Sequence, residues 1–330
     1  MDWQKLDRLA ATGPVPMQQH DHYGATCRAM GSRVDRYALG TPGAHRATAQ
    51  VLLRRVPLVG DVALVSRGPT WAPDVGPADA RAGTEALVAR LRRDCRAVLL
   101  SCDPLAGQDV MQHSGLLPMM TPANQARLAL GSEAQMLAAM HGKWRNRLRR
   151  AQEGPLIIRN TPLPEEADHW LLLREAAQAR RRGYRSLPAA FTHAWRVLNG
   201  ARATRLFVAR YRKATVAAML FLLHGQGASY HIGWSDELGR RCHAHNLLLW
   251  QAARWLSARG YAWIDLGALD TDRAPGLARF KLGAGAQLLT LGATRLSAPG
   301  TGAVARLFGH GGAGGPVTSG LPRAGEEAMQ

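Results

Sequence analysis

Lysine is nearly absent from this chain. Of 42 basic residues only Lys5, Lys143, Lys213 and Lys281 are lysines, and the rest are arginine. Aromatic residues are also sparse, at 6%. The four cysteines, Cys27, Cys95, Cys102 and Cys242, lie far apart and form no CxxC pair. That excludes the common zinc spacings and a disulfide framework, and predicts free thiols in a reducing compartment. The longest apolar run, Val216–Leu223, is less than half of the roughly 20 residues a spanning helix needs. The amino terminus has no apolar segment of the secretory kind, so a cytoplasmic location is expected. Neither GxSxG nor a P-loop occurs, which leaves a serine hydrolase or a P-loop nucleotide hydrolase without support. His20-Asp21-His22 and His243-Ala244-His245 place their histidines two apart, a spacing that sends them to different sides of a helix, and no metal site is expected.

What is present is size, apolar content and positive charge. At 330 residues and 46% hydrophobic, the chain has room for two domains with sizeable cores. The formal net charge is +18, from 42 Lys+Arg against 24 Asp+Glu. A compositional bias towards Arg, Ala and Gly accounts for this by itself. The field still favours polyanionic partners: RNA, nucleotide-linked precursors, coenzyme A or an anionic membrane surface.

Patterning predicts a repeated order of elements. A helix over 15–31 is followed by strands over 33–39, 48–56 and 61–67, with turn formers between them. Helical spacing over 77–94 and a short buried strand over 97–101 follow. Ser132 and Gln135 fit a capping box that opens one long helix to about Gln152. A strand over 156–160 and helices over 165–182 and 188–199 lead into strands over 205–211, 215–224 and 227–234. A helix over 244–259, a strand over 261–266, a short helix over 275–282 and a strand over 287–296 complete the pattern. Three strands, a helix and a strand thus occur twice, which predicts an α/β (α+β) chain of two related units with mixed sheets flanked by helices. The expected division is 1–150 and 151–296, followed by a Gly- and Pro-rich tail over 297–330 that lacks the apolar content to order itself.

The stretch from Ser229 to Gly285 carries the most specific signals. It holds a Tyr230 strand, a helix of small residues around Leu247-Leu248-Leu249-Trp250, then Asp265-Leu266-Gly267, then Phe280-Lys281-Leu282-Gly283-Ala284-Gly285. This order resembles the C-terminal half of Fem-type aminoacyltransferases and related proteins of the GNAT acetyltransferase superfamily. The helix with Lys143-Trp144-Arg145 and Leu148-Arg149-Arg150, and the Arg67-Gly68-Pro69 turn, are similar to the same group. The resemblance spans about 15–295. It implies two tandem GNAT-like domains and transfer of an acyl or aminoacyl group to an amine, with peptidoglycan precursors as the acceptors of known members. Two features depart from the group. No sustained heptads form a tRNA-binding arm, and Gly239-Arg240-Arg241-Cys242-His243-Ala244 lacks the spaced glycines of an acetyltransferase pyrophosphate loop.

Aminolysis of an acyl donor needs a neutral amine, a carbonyl held beside it, and stabilisation of the developing oxyanion. By the resemblance, the donor docks where the strands over 227–234 and 261–266 separate, with Tyr230 and Trp234 nearby. The helix start at Ala244, His245 and Asn246 offers unpaired N–H groups to a phosphate, and Arg240 and Arg241 add charge. Lys281 suits phosphate binding or oxyanion stabilisation. Asp265 suits orientation or deprotonation of the amine, and Phe280 suits packing at the site. Arg181, Arg182, Tyr184 and Arg279 are the acceptor-side candidates. No bound cofactor is expected; acyl-CoA or aminoacyl-tRNA would be the co-substrate, and the acceptor a nucleotide- or lipid-linked amine. Two readings stand beside the aminoacyl transferase: an acyl-CoA-dependent N-acetyltransferase on a small-molecule, sugar or lipid-linked amine, and a non-catalytic basic protein that binds RNA or a membrane surface.

Overall fold

The computed structural model describes residues 1–9, 13–41, 43–184 and 186–309. In chain order the first elements are β1 (Trp3–Leu6), α1 (Asp21–Ala29), β2 (Arg33–Thr41), β3 (Ala44–Val56), β4 (Gly60–Val65) and β5 (Thr70–Trp71). They are followed by α2 (Pro77–Asp94), β6 (Ala97–Leu100), β7 (Leu117–Met120), β8 (Asn124–Ala129), α3 (Glu133–Ala139), α4 (Gly142–Glu153) and β9 (Leu156–Thr161). Next come α5 (Trp170–Arg182), α6 (Ala189–Asn199), β10 (Thr204–Tyr211), β11 (Ala214–His224), β12 (Gly227–Ser235), α7 (Glu237–Arg241) and α8 (Ala244–Ser257). The last are β13 (Trp263–Ala268), α9 (Pro275–Gly283), β14 (Gln287–Thr290), β15 (Thr294–Ser297) and α10 (Thr301–Gly309).

The strands form two mixed sheets flanked by helices. One runs β1-β2-β3-β4-β6-β15-β7, with β5 added beside β3; the other runs β14-β8-β13-β12-β11-β10-β9. Each contains one parallel pair, β4 with β6 and β12 with β13. Helix α2 covers the first sheet because Ala80, Gly83, Thr84, Leu87, Val88 and Leu91 recur at helical spacing, and Pro77 in its first turn presets the backbone. Helices α4 and α8 cover the second, where Trp144, Leu148, Leu248 and Leu256 pack with Phe207 and Phe221. A separate apolar cluster joins the two halves: Cys27, Val34 and Leu52 from the first meet Phe191, Trp195, Ala203 and Leu222 from the second. Trp195 is fully buried there, and its indole donates to the Ala203 carbonyl at 2.9 Å. The His22 Nδ1–H donates to Leu223 O at 3.0 Å across the same seam.

Several elements differ from the sequence expectation. The helix expected over 132–152 is two helices. The Ser132–Gln135 capping box opens α3, but Met140 and His141 are extended and the His141 N–H bonds to Gly283 O at 3.0 Å, which turns α4 onto α8 and α9. The strand expected over 287–296 is also two, β14 and β15, on different sheets. The chain crosses between them at Gly292, where a Cβ would meet Asp109 Oδ1 at 2.7 Å. Sheet membership therefore crosses the expected break at 150: β8, α3 and α4 belong with the second sheet, and β15 with the first. In the tail expected to lack order, 301–309 form α10; residues 310–330 lie outside the described residues. No helix among the described residues is long and apolar enough to cross a membrane.

Candidate functional site

The centre of the second sheet opens between β12 and β13. They pair in parallel only at Gly227↔Trp263, Ala228↔Ile264 and Ser229↔Asp265. Beyond that point both strands continue and part. The start of α8, entered through His243 in the left-handed region at φ 52°, lies beside the end of β12, where His245 reaches the Trp234 carbonyl. Next to it lies a groove of about 450 Å³ lined by Arg147, Arg240, Ala244, His245, Asn246 and Phe280, among others. A second cavity of about 520 Å³, lined by Lys143, Trp144, Arg147, Arg279 and Phe280, shares Arg147, Gly276 and Phe280 with it, so the two adjoin across Phe280 and together make up the channel.

Two buried donors on this channel, Asn246 Nδ2 and Trp144 Nε1, have no hydrogen-bond partner among the described residues. A buried unmet N–H costs about 1–3 kcal/mol. Phe280 forms a wall between the indole of Trp144, 6.0 Å away, and the ring of His245, 6.3 Å away. His245 Nε2 donates to Trp234 O at 3.1 Å, and burial holds the imidazole below its ordinary pKa despite that bond. His243 is lowered by burial and by Arg147 and Arg150, which shows how much positive charge gathers at the rim.

The sequence candidates do not all meet in this channel. Arg240 lines it and donates to Ser235 O at 3.0 Å. Arg241 pairs instead with Glu237 one helical turn back, at 3.0 Å. The ring of Trp234 turns away, packing 5.5 Å from Trp170 beneath the guanidinium of Arg174. Tyr230 sits at the point of separation, packed on Phe221 and over Gly233. Burial, then Glu175 and Tyr184, raise its phenol pKa.

Lys281 follows Phe280 in α9 but faces the junction between the halves. It is 4% exposed, and its Nζ donates to Ala268 O at 2.7 Å. Desolvation pulls its pKa down to about 8, with Asp265 opposing the shift. Both Asp265 oxygens are engaged: Oδ1 accepts from Gly267 N at 2.9 Å, and Oδ2 pairs with Arg67 Nη1. Arg67 comes from the end of β4 in the other sheet and also grips Asp103, with Nε to Oδ1 at 2.7 Å and Nη2 to Oδ2 at 2.9 Å. Burial alone would lower its pKa, but Asp103 and Asp265 outweigh that and raise it. Arg127, stacked 4.4 Å over Trp263, completes the network on Asp103 at 3.0 Å. The sequence marked Arg67 only as part of a turn; nothing local distinguished Asp103 or Arg127, because their partners lie far along the chain.

A third cavity, about 670 Å³, lies between α5, α6 and β12, lined by Glu175, Arg180, Tyr184, Thr192 and Ile232, among others. Tyr184 OH donates to Glu175 Oε1 at 2.9 Å. Nearby, His231 Nε2 meets Thr192 Oγ1 at 2.7 Å, and burial brings that imidazole down to about 4. Of the acceptor-side candidates, Tyr184 lines this cavity, Arg181 is exposed on α5, Arg279 lies instead on the channel, and the side chain of Arg182 is outside the described residues. Glu175, which the sequence did not single out, is among its most buried polar groups. Among the described residues no group of His, Cys, Asp or Glu is arranged to hold a metal.

A parallel strand pair that splits over a helix start is the geometry of one acyl-transfer fold, and the sequence agrees: residues 138–282 match the family described as acetyltransferase (GNAT) domain. The match spans less than half of the chain and supports an acyltransferase. Among solved structures, FemX superposes with a TM-score of 0.70 at 13% identity, covering 88% of this chain and 95% of that one. A lysylphosphatidylglycerol synthetase C-terminal domain from Agrobacterium fabrum gives 0.51 at 14%, covering 88% and 92%. A conserved protein of unknown function from Bacteroides thetaiotaomicron gives 0.52 at 12%, covering 83% and 88%. At these identities the likeness is one of fold, and it extends over both sheets, not the GNAT domain alone. No curated protein matches the chain.

Proposed function

We propose that the chain is an N-acyltransferase of the Fem/GNAT type that takes an acyl or aminoacyl group from an anionic carrier and passes it to an amine. The observation that carries this reading is the channel at the β12–β13 separation, where the start of α8 and the unpartnered Asn246 Nδ2 meet a rim of arginines. Helix N–H groups, a free amide donor and guanidinium charge together suit the phosphates of coenzyme A or the 3′ end of a charged tRNA.

The acyl carbonyl would lie past Phe280, near the point where the strands part. An amine entering from the Glu175–Tyr184 cavity attacks it. The C–N bond forms, the bond to the carrier thiol or ribose oxygen breaks, and the amine proton leaves with the carrier or to water. Lys281 in its ammonium form would stabilise the oxyanion. Asp265, with both oxygens engaged, serves better as a tie that fixes Lys281 than as a base. Glu175 is suited to hold the acceptor and to take the first proton from its ammonium, which leaves the neutral amine that attacks. In keeping with the resemblance to Fem-type enzymes, an amine of a peptidoglycan precursor is the acceptor assigned.

Thermal stability measured with acetyl-CoA, longer acyl-CoAs and aminoacyl-tRNA tests the donor, since a ligand of the folded form raises the melting temperature with its concentration over Kd. One of these should stabilise the protein and support transfer. A tRNA effect should fall steeply with salt, a coenzyme A effect much less. No shift with any of them, and no transfer, removes the reading.

A further inference from the structure

The β3–β4 hairpin ends in Val56-Pro57-Leu58-Val59, at the opposite end of β4 from Arg67. Leu58 stands clear of the surface at 109% relative exposure, and Val59 is 48% exposed. Leu58 also takes φ 63°, the left-handed region that glycine or asparagine occupies at least cost. A leucine held in that conformation with its side chain in water gains nothing from packing within the chain. A hairpin that needed only to turn is better served by glycine.

Beside this tip is an open basin of about 510 Å³ lined by Arg55, Arg92, Arg93 and Arg96. Asp61 and Asp94 also face it, but each is held by a further arginine, Asp61 by Arg33 at 3.2 Å and Asp94 by Arg90 at 2.7 Å. Arg92 bends onto the Cys95 carbonyl at 2.6 Å and that of Arg96. Among the described residues, Arg55, Arg93 and Arg96 enter no ion pair, so the basin keeps a net positive charge next to an apolar projection.

We propose that the tip and basin dock the protein on an anionic phospholipid bilayer, with Leu58 and Val59 entering the interfacial layer and the arginines holding lipid phosphates. Charge alone would suit any polyanion, but RNA in water gains nothing from an exposed leucine. A bilayer surface uses both features, because its anionic headgroups overlie an apolar layer. Six residues of β4 at about 3.3 Å each put roughly 20 Å between the tip and Arg67, so a docked bilayer leaves the junction and channel open. Docking of this kind is independent of the reaction assigned above.

Co-sedimentation of the full chain with phosphatidylcholine vesicles, with and without about one third phosphatidylglycerol, tests it. Binding should require the anionic lipid. Replacing the apolar pair (Leu58→Ser with Val59→Ser) and, separately, reversing charge in the basin (Arg93→Glu with Arg96→Glu) should each weaken it by about tenfold or more. The serine pair should leave binding to heparin unchanged, and Arg145→Glu with Arg149→Glu on α4 should leave vesicle binding largely intact. Because Leu58 and Val59 are exposed, the serine variant should keep the parent melting temperature. Equal binding to neutral vesicles, full binding by the serine pair, or an equal loss from the α4 variant would overturn the assignment, the last two pointing to general attraction of a basic chain for polyanions.

Discussion

At the scale of single residues, the channel and junction hold groups kept under tension by burial. Lys281 is the clearest. Its pKa, lowered from 10.5 to about 8 by desolvation, means that between those values the folded protein binds fewer protons than the unfolded chain. Stability should therefore rise with pH through that window, and the rise should vanish in Lys281→Met; melting curves from pH 7.5 to 10 read it out. Turnover has the opposite sign if the ammonium is the working form: it should fall above about pH 8, and Lys281→Arg, which keeps its charge, should flatten that limb. Asn246 makes a second trade. With its Nδ2 unmet and the residue 6% exposed, Asn246→Leu should raise stability or leave it unchanged while weakening donor binding about tenfold, measured by calorimetry beside denaturant unfolding.

Among elements, those with strong local signals were readable from sequence. Helix α2 spans 77–94 as its spacing predicts, and β2, β3, β4, β10, β11 and β12 fall within a few residues of expectation, because alternation and turn formers act locally. Strand β8 was not readable. Its Ala126 and Leu128 alternate inward, but Asn-Gln-Ala-Arg-Leu-Ala has weak strand preference, and it forms only because β13 and β14 pair on either side. The break between α3 and α4 was hidden for a similar reason, since it is set by a carbonyl more than a hundred residues away. Within the candidate site, the stretch around Phe280-Lys281 and the start of α8 were legible as motifs. Their division between channel and junction was not, because it depends on which way α9 faces. Helix α7 was missed as an element, although Gly239 shows why the chain is built as it is. A Cβ there would run into the Val216 carbonyl, while Asp236 caps the helix by accepting from Gly239 N at 2.7 Å. Gly239→Ala should cost about 1–3 kcal/mol in chemical denaturation and loosen donor binding, since α7 leads directly into the mouth of the channel.

Over the whole molecule, the two sheets are joined by an apolar seam around Trp195 and by the buried charges on Arg67. Removing that guanidinium leaves Asp103 and Asp265 facing each other's neighbourhood without it. Arg67→Met should therefore destabilise by about 3–5 kcal/mol, and its effect combined with Asp265→Asn should fall well short of the sum, as a double-mutant cycle would show. A different link carries a consequence for biosynthesis. Strand β6 finishes at Leu100, yet its outer neighbour β15 begins only at Thr294, so one flank stays bare while about 200 further residues leave the ribosome, on the order of 10–40 s of elongation. A nascent chain with an unsealed edge for that long invites pairing with strangers. Ending the chain at residue 282, where the GNAT match stops, would remove β15 and make that transient exposure permanent.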